Sequence, residues 1–248
     1  MCSSDLSEVV LLGQTVNSYH DGAGDFADLL RAVGSVPGIR RVRFTSPHPN
    51  DFSDSVVNAM AEVGAVCEHV HLPMQSGSSR VLRRMLRRYT REGYLECVDR
   101  LRAALPGLCL TTDIIVGFPG ETEADFEQTK RAVEYCGFDM AYIFKYSPRP
   151  GTPAFEMEDD VTLGEKKLRF MELERIQKES QNKRLQRYLG KKVEVLAERV
   201  SSRSVKDITG HSTCHKLVNF QGSKDLIGQL VDVRIREIKA NSLFGEVC

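Results

Sequence analysis

The 248-residue sequence has no apolar run approaching the roughly 20 residues of a membrane-spanning helix. Its first residues, Met1-Cys2-Ser3-Ser4-Asp5, are too polar to open a secretion signal. A cytoplasmic protein is therefore expected, without a membrane partner. Closely grouped cysteines are also missing. The seven, at positions 2, 67, 97, 109, 136, 214 and 248, show no short regular spacing. An odd count argues against a complete disulfide framework, and no pair has the spacing of a zinc ligand set. Reduced thiols packed as small core residues are expected, with no metal ligands among them. Internal repeats and low-complexity segments are absent as well. So is net charge, since Lys and Arg balance Asp and Glu at 34 each.

What is present is enough for one large domain, or a medium domain with a small module. A 41% hydrophobic content is that of globular proteins. The most informative stretch is DIIVGFPGET, 113–122. Ile114, Ile115 and Val116 read as a strand buried on both faces in a parallel sheet. Gly117, Pro119 and Gly120 then turn the chain sharply, and Glu121 or Thr122 caps a helix running through Phe126 and Val133. Alone, such a turn is equally well a packing turn of any α/β protein.

Strands and helices alternate along the first two thirds, which is the mark of βα units. Strands are expected at Val9–Leu12, Val42–Phe44, Val70–Leu72, around Ile114, and at Ala141–Lys145. Helices are expected at Asp25–Val33, Asp54–Val63, Ser79–Leu86, Arg91–Leu105 and Asp125–Cys136. The polar segments GQTVNSYHDG, TSPHP, MQSGSS, GFPGET and YSPRPGTPA follow successive strands. All five fall on one rim of such a sheet, where α/β proteins bind ligands. A long charged helix from Leu163 to Leu189 follows, with Leu168, Met171, Ile176 and Leu185 as its apolar positions.

Beyond Gly190 the pattern becomes short strands: Val193–Leu196, Lys216–Phe220, Leu230–Ile235 and Leu243–Val247. The segments SSRS, TGHST, QGSKD and KANS read as the turns between them, giving a small all-β barrel. Residues 186–248 carry 11 Lys and Arg against 7 Asp and Glu, a basic lean compatible with RNA.

Five segments together carry a family resemblance: LLGQTVNSY (11–19), FTSPHP (44–49), HLPMQSGSSRVLRRMLRRYTREGY (71–94), TDIIVGFPGETEADFEQT (112–129) and FKYSPRPGTPA (144–154). The chain resembles the radical S-adenosylmethionine (SAM) methylthiotransferases. Within them it looks like the branch that adds a methylthio group to C2 of N6-isopentenyladenosine at tRNA position 37. The barrel is similar to the RNA-binding TRAM domain, matched by Gly210, Asn219, Phe220, Gly228, Val231–Val233, Asn241–Leu243 and Gly245. His211 stands where that pattern commonly has Arg, which weakens phosphate attraction.

The resemblance implies an α/β fold: a partial (βα) radical SAM barrel lacking its first strand, at 1–185 with the connector helix, and a TRAM barrel at 186–248. It implies SAM and two 4Fe-4S clusters as cofactors, with tRNA and an electron donor as partners of a monomeric full-length enzyme. The family's Cys-x3-Cys-x2-Cys loop and N-terminal cluster cysteines have no counterpart here. Neither cluster is then ligated by this chain, which is expected to be inactive alone. A non-catalytic RNA-binding fragment and a relative acting on a ribosomal protein are the alternatives.

By the same resemblance, Gln75, Ser76 and Gly77 would contact the ribose or amino-acid part of SAM. Asp113, Ile115, Gly117 and Glu121 would cradle its adenosine, with Gln14 and Asn17 facing the same rim. Each has a structural alternative: a capped helix start at Ser78 or Ser79, a hydrogen bond or helix-dipole role for Asp113 and Glu121, loop self-capping by Asn17. RNA contacts are assigned to Arg84, Arg87, Arg149, Arg203, Lys206, His211 and Asn241. A solvated face is the plain alternative for the arginine-rich helix, and Tyr142 and Tyr146 either stack on a base or pack in the core.

Overall fold

The computed structural model describes residues 6–202 and 204–248; Cys2 and Arg203 lie outside them. Five parallel strands follow one another in chain order. β1 (Glu8–Leu11) pairs with β2 (Arg41–Phe44), and β3 (His69–His71) and β5 (Met140–Lys145) flank β4 (Cys109–Val116). A parallel bridge of Val42 with Val66 joins the two groups, with Cys67 N donating to Val42 O at 2.9 Å. The result is an open half-barrel.

Helices cover its convex side because alternate strand residues are apolar there. Val42, Phe44, Val70, Leu110, Ile114 and Val116 share one core with Phe26 and Leu30 of α1 (Phe26–Gly34), Met60 of α2 (Asp54–Glu62), Leu82 of α3 (Ser79–Arg84), Tyr94 and Leu101 of α4 (Arg91–Ala104), and Phe126 and Val133 of α5 (Glu123–Cys136). The concave side takes the other residues, and many are polar: Arg41, Arg43, His69, His71, Thr111 and Asp113. This corrects one expectation about β4. Its second half is not covered on both faces, for Asp113 and Ile115 are half-exposed toward the concavity.

Helix starts follow their capping chemistry. Thr122 accepts from Asp125 N at 3.3 Å while the Asp125 carboxylate accepts from Thr122 N at 2.9 Å, so α5 begins with a reciprocal cap. Thr162 and Glu165 repeat this at α6 (Leu163–Gln186). The apolar face expected for α6 is wrong at two positions. Leu168 and Met171 are exposed, whereas Lys166 and Arg169 are buried beside Leu173, Ile176, Gln177 and Leu185. The helix turns two charges inward because acidic partners wait there.

The C-terminal part closes into a five-stranded barrel in the order β10-β8-β7-β6-β9, from β6 (Lys192–Val200), β7 (Asp207–Ser212), β8 (Leu217–Gln221), β9 (Leu230–Ile238) and β10 (Leu243–Val247). β7 was expected as a turn. Its polar, Gly-containing sequence DITGHS hid a strand paired on both sides with β6 and β8. Gly210 is required there, since a Cβ would sit 1.9 Å from Leu196 O.

The barrel is seated on the N-terminal ends of the half-barrel strands. Arg41, 1% exposed, donates to His211 O (2.8 Å) and to Glu194 O (2.9 Å). Arg43 donates to Ser212 O (2.7 Å) and Thr213 O (3.0 Å), and pairs with Glu8 at 3.0 Å. Lys216 reaches Asp139, which also holds Arg184 and Arg187 of the α6 end. Leu185 and Tyr188 enter the core of the barrel, so the connector is part of the junction.

Candidate functional site

At the opposite, C-terminal ends of the strands the polar mouths converge. After β3 the chain places Gln75 in the left-handed region (φ 64), and its backbone still bridges to β4, accepting from Ile115 N at 2.9 Å and donating to Asp113 O at 2.8 Å. A non-glycine residue held there stores strain that the surrounding strands must impose. After β4, Gly117 (φ 69) and Gly120 (φ 76) turn the chain back, and Glu121 N closes the turn on Phe118 O at 2.9 Å. Between these turns lies a cavity of about 490 Å³.

Its wall is aromatic and aliphatic, from Ile115, Phe118, Phe144 and Tyr146, with Phe118 and Tyr146 edge to face at 5.1 Å. Gln75 and Asp113 supply uncharged and anionic hydrogen-bonding groups, and Arg87 and Arg149 supply positive charge. Two smaller spaces continue along the rim. One of about 230 Å³ is bounded by Gln14, Pro47, His48 and His71 and shares Gln75, Arg87 and Asp113 with the first. The other, about 450 Å³, lies between Ser18, Asn50 and Arg88. Arg87 borders all three. It follows Leu86, itself left-handed at φ 57, and forms no ion pair among the described residues. Burial, with Arg87 and Arg88 nearby, holds the His48 imidazole below its ordinary value against the pull of Asp51.

The structure sorts the expected site residues into two groups. Gln14, Gln75, Asp113, Ile115, Arg87 and Arg149 line the connected cavities. Asn17 does not; its amide is spent on the backbone of His48 in both directions, at 2.8 and 2.9 Å. Ser76 is fully buried against Thr129, and a Cβ on Gly77 would come 2.5 Å from the Thr129 backbone, so both pack against α5. Glu121 is buried behind the turn, its Oε2 accepting from Gly117 N at 2.6 Å. Asp113 stands 3.4 Å from His71, whose Nδ1 lies 3.0 Å from Thr111 Oγ1.

The arginine-rich segment 80–91, expected as a helix to Leu86 but helical only to Arg84 before α4 starts at Arg91, is likewise divided. Arg80 is ion-paired with Asp125, Arg84 donates to Pro119 O at 3.0 Å, and Arg91 is held by Glu92 and Gln128. Arg80 and Arg84 brace the turn, Arg91 ties α4 to α5, and Arg83, Arg87 and Arg88 form no ion pair among the described residues. Tyr142 is exposed on the concave face. On the C-terminal barrel Lys206 is exposed, but His211 faces the junction, bonded to Glu198 at 2.7 Å and stacked on His215 at 4.7 Å. Asn241 lines a cavity of about 440 Å³ between the half-barrel and the C-terminal barrel, beside Gln181. Sequence reading missed Phe118 and Phe144 of the wall; their places after and within strands that end at the rim were the available signal.

The described cysteines do not fit an iron–sulfur cluster. Cys67, Cys97, Cys109, Cys136 and Cys214 are buried away from the rim, and burial pushes the first two thiols to about 11 and the next two to about 12. No group of three His, Cys, Asp or Glu among the described residues could hold a metal ion.

Comparison with known proteins agrees with this layout. Residues 3–133 match the radical SAM superfamily and residues 186–248 match the TRAM domain. The chain is 49% identical over 243 residues to a tRNA-2-methylthio-N(6)-dimethylallyladenosine synthase of Acetivibrio thermocellus, covering 97% of this chain and 51% of that protein. It is 47% identical over 250 residues to the same-named protein of Syntrophomonas wolfei, covering 100% and 56%. The chain thus spans about half the length of the curated relatives it matches. In fold it is similar to coproporphyrinogen III oxidase from Escherichia coli, a radical SAM enzyme, with TM-score 0.56 at 14% identity over 97% of this chain and 59% of that one. No helix among the described residues is long and apolar enough to cross a membrane. By its sequence match and its half-barrel, the chain belongs to the radical SAM superfamily and carries a TRAM domain at its C-terminal end.

Proposed function

We propose that this chain provides SAM binding and RNA docking for tRNA methylthiotransfer, the reaction its curated relatives are named for. The target would be C2 of N6-isopentenyladenosine at position 37. One observation carries the reading: the cavity at the ends of β3, β4 and β5 combines an aromatic wall, the polar pair Gln75 and Asp113, and the unpaired cation Arg87. Adenine fits the wall of Ile115, Phe118, Phe144 and Tyr146. Gln75 and Asp113 suit ribose hydroxyls, and Arg87 suits the carboxylate of the methionyl part. When bound, SAM supplies the adenosyl group on which radical chemistry depends. The residues of this chain bind it, orient it and line the approach for RNA. Two 4Fe-4S clusters and an electron donor complete the reading, and the described cysteines of this chain do not ligate either cluster. Alone, the chain is expected to bind without turnover.

The mismatch of the cysteines favours a second reading, a non-catalytic RNA-binding protein. Calorimetric titration of the chain with S-adenosylhomocysteine, beside binding of a tRNA anticodon stem-loop at several salt concentrations, separates the two. Saturable nucleoside binding lost in Asp113→Ala supports the first reading. RNA binding without it leaves only the second, and failure of both overturns the proposal.

A further inference from the structure

Behind the cofactor wall lies a buried ion pair that no motif announces. Glu121 is almost wholly inaccessible. Its Oε2 accepts from Gly117 N at 2.6 Å and from Arg169 Nη1 at 2.9 Å, and the same Arg169 nitrogen donates to Glu121 O at 3.0 Å. Oε1 has no hydrogen-bond partner among the described residues. The carboxylate therefore depends on one amide and one guanidinium. From the other side Lys166 packs over Gly117 so closely that a Cβ there would meet its Cγ at 2.3 Å. Lys166 Nζ is anchored on Asp159 at 2.6 Å and stands 5.2 Å over the ring of Tyr146, a wall residue. Helix α6, which reads in sequence as a connector, thus grips the glycine turn from two sides.

We propose that Arg169 is a positioning residue for the cofactor pocket, acting through Glu121 on the backbone of Gly117. This rests on the reading of the pocket as a SAM site. A buried carboxylate without its cation prefers the protonated form, and a protonated acid is a weaker acceptor for Gly117 N. Removing Arg169 converts the turn from a fixed element into one whose geometry follows pH. Burial already pushes the Glu121 carboxyl up and the Asp125 charge adds to that, while Gly117 N and Arg169, whose other nitrogen faces Glu123 at 3.7 Å, hold it down.

The test uses the 248-residue chain and 5′-methylthioadenosine, a nucleoside thioether with no group titrating between pH 5.5 and 8.5. Its affinity for the unaltered chain is expected to be flat across that range. In Arg169→Met it should fall about tenfold toward the acid end, which corresponds to one pKa unit of linkage. Arg169→Lys should restore the flat profile, and so should Glu121→Gln combined with Arg169→Met, which removes both charges. An equal loss at every pH, or no rescue by lysine, overturns the proposal and leaves Arg169 a packing residue. The Gly117 amide resonance gives an independent measure: in Arg169→Met it should titrate in the same range, and a resonance that stays fixed sinks the idea. If the unaltered chain binds no nucleoside, the SAM reading fails by itself, and the Gly117 amide still decides the role of Arg169.

Discussion

The two ends of the half-barrel are finished in opposite ways. At the N-terminal strand ends, cations are buried and fully engaged: Arg41 and Arg43 reach backbone carbonyls of the TRAM domain, and Lys216 closes on Asp139. At the C-terminal ends, Arg83, Arg87, Arg88 and Arg149 have no ion pair among the described residues, and Gln75 and Leu86 are held left-handed over connected cavities. The same residue type is structural at one end and available at the other. What differs is whether acceptors surround it. A desolvated guanidinium must be satisfied by the fold, whereas a solvated one remains free for a ligand.

Breaking the closed end should have the largest effect. Arg41→Met removes a charge and leaves its buried acceptors at Glu194 and His211 without a donor, an expected loss of about 3–5 kcal/mol. Denaturant unfolding should then split into separate TRAM and core transitions; a single unshifted transition would refute a coupled junction.

Acidification should act less strongly at the same end. His69, His215 and His211 form a stack, with centroids 5.1 and 4.7 Å apart. Burial, then the neighbouring imidazole and Arg43, pushes His69 to about 3, and burial with Arg43 and His211 pushes His215 to about 4. Glu198 pulls His215 the other way and Lys216 adds to the depression of both. Seating the domain thus favours neutral rings. Its contribution is complete above the ordinary value near 6.5 and is lost as pH falls from there toward the depressed values. Melting temperature should drop between pH 6.5 and 4, and His215→Asn should flatten that drop. A melting curve unaffected by pH in this window would contradict the stack's role.

At the open end, stability should hardly respond. Arg88→Ala with Arg149→Ala is expected to change unfolding free energy by less than about 0.5 kcal/mol. RNA affinity should nevertheless weaken, with a salt dependence shallower by roughly one phosphate equivalent per arginine engaged. An unchanged salt slope would assign phosphate contact elsewhere.

Much of the sheet was readable in advance because apolar alternation and capping residues are local signals. The strand at Ile114, the cap at Thr122 and the five rim mouths all stand where periodicity and turn chemistry put them. Two elements escaped because their residues answer to partners elsewhere in the chain. α6 buries Lys166 and Arg169 because Asp159 and Glu121 come to meet them, and hydrophobicity alone then gives the wrong face. β7 carries Gly210 because Leu196 O approaches too closely there for a Cβ, and that glycine reads as a turn. Within 71–94, arginines of identical chemistry divide between bracing and free, according to whether Asp125, Pro119 or nothing lies opposite.

By itself, then, the sequence determined the βα order, the all-β ending, the rim on which the polar mouths gather and the family resemblance, since each rests on neighbours in the chain. Only the tertiary structure decided which charged groups are consumed by the fold. Burial and pairing depend on partners distant in sequence, such as Arg169 on Glu121 and Arg43 on Ser212, and no local pattern encodes that distance.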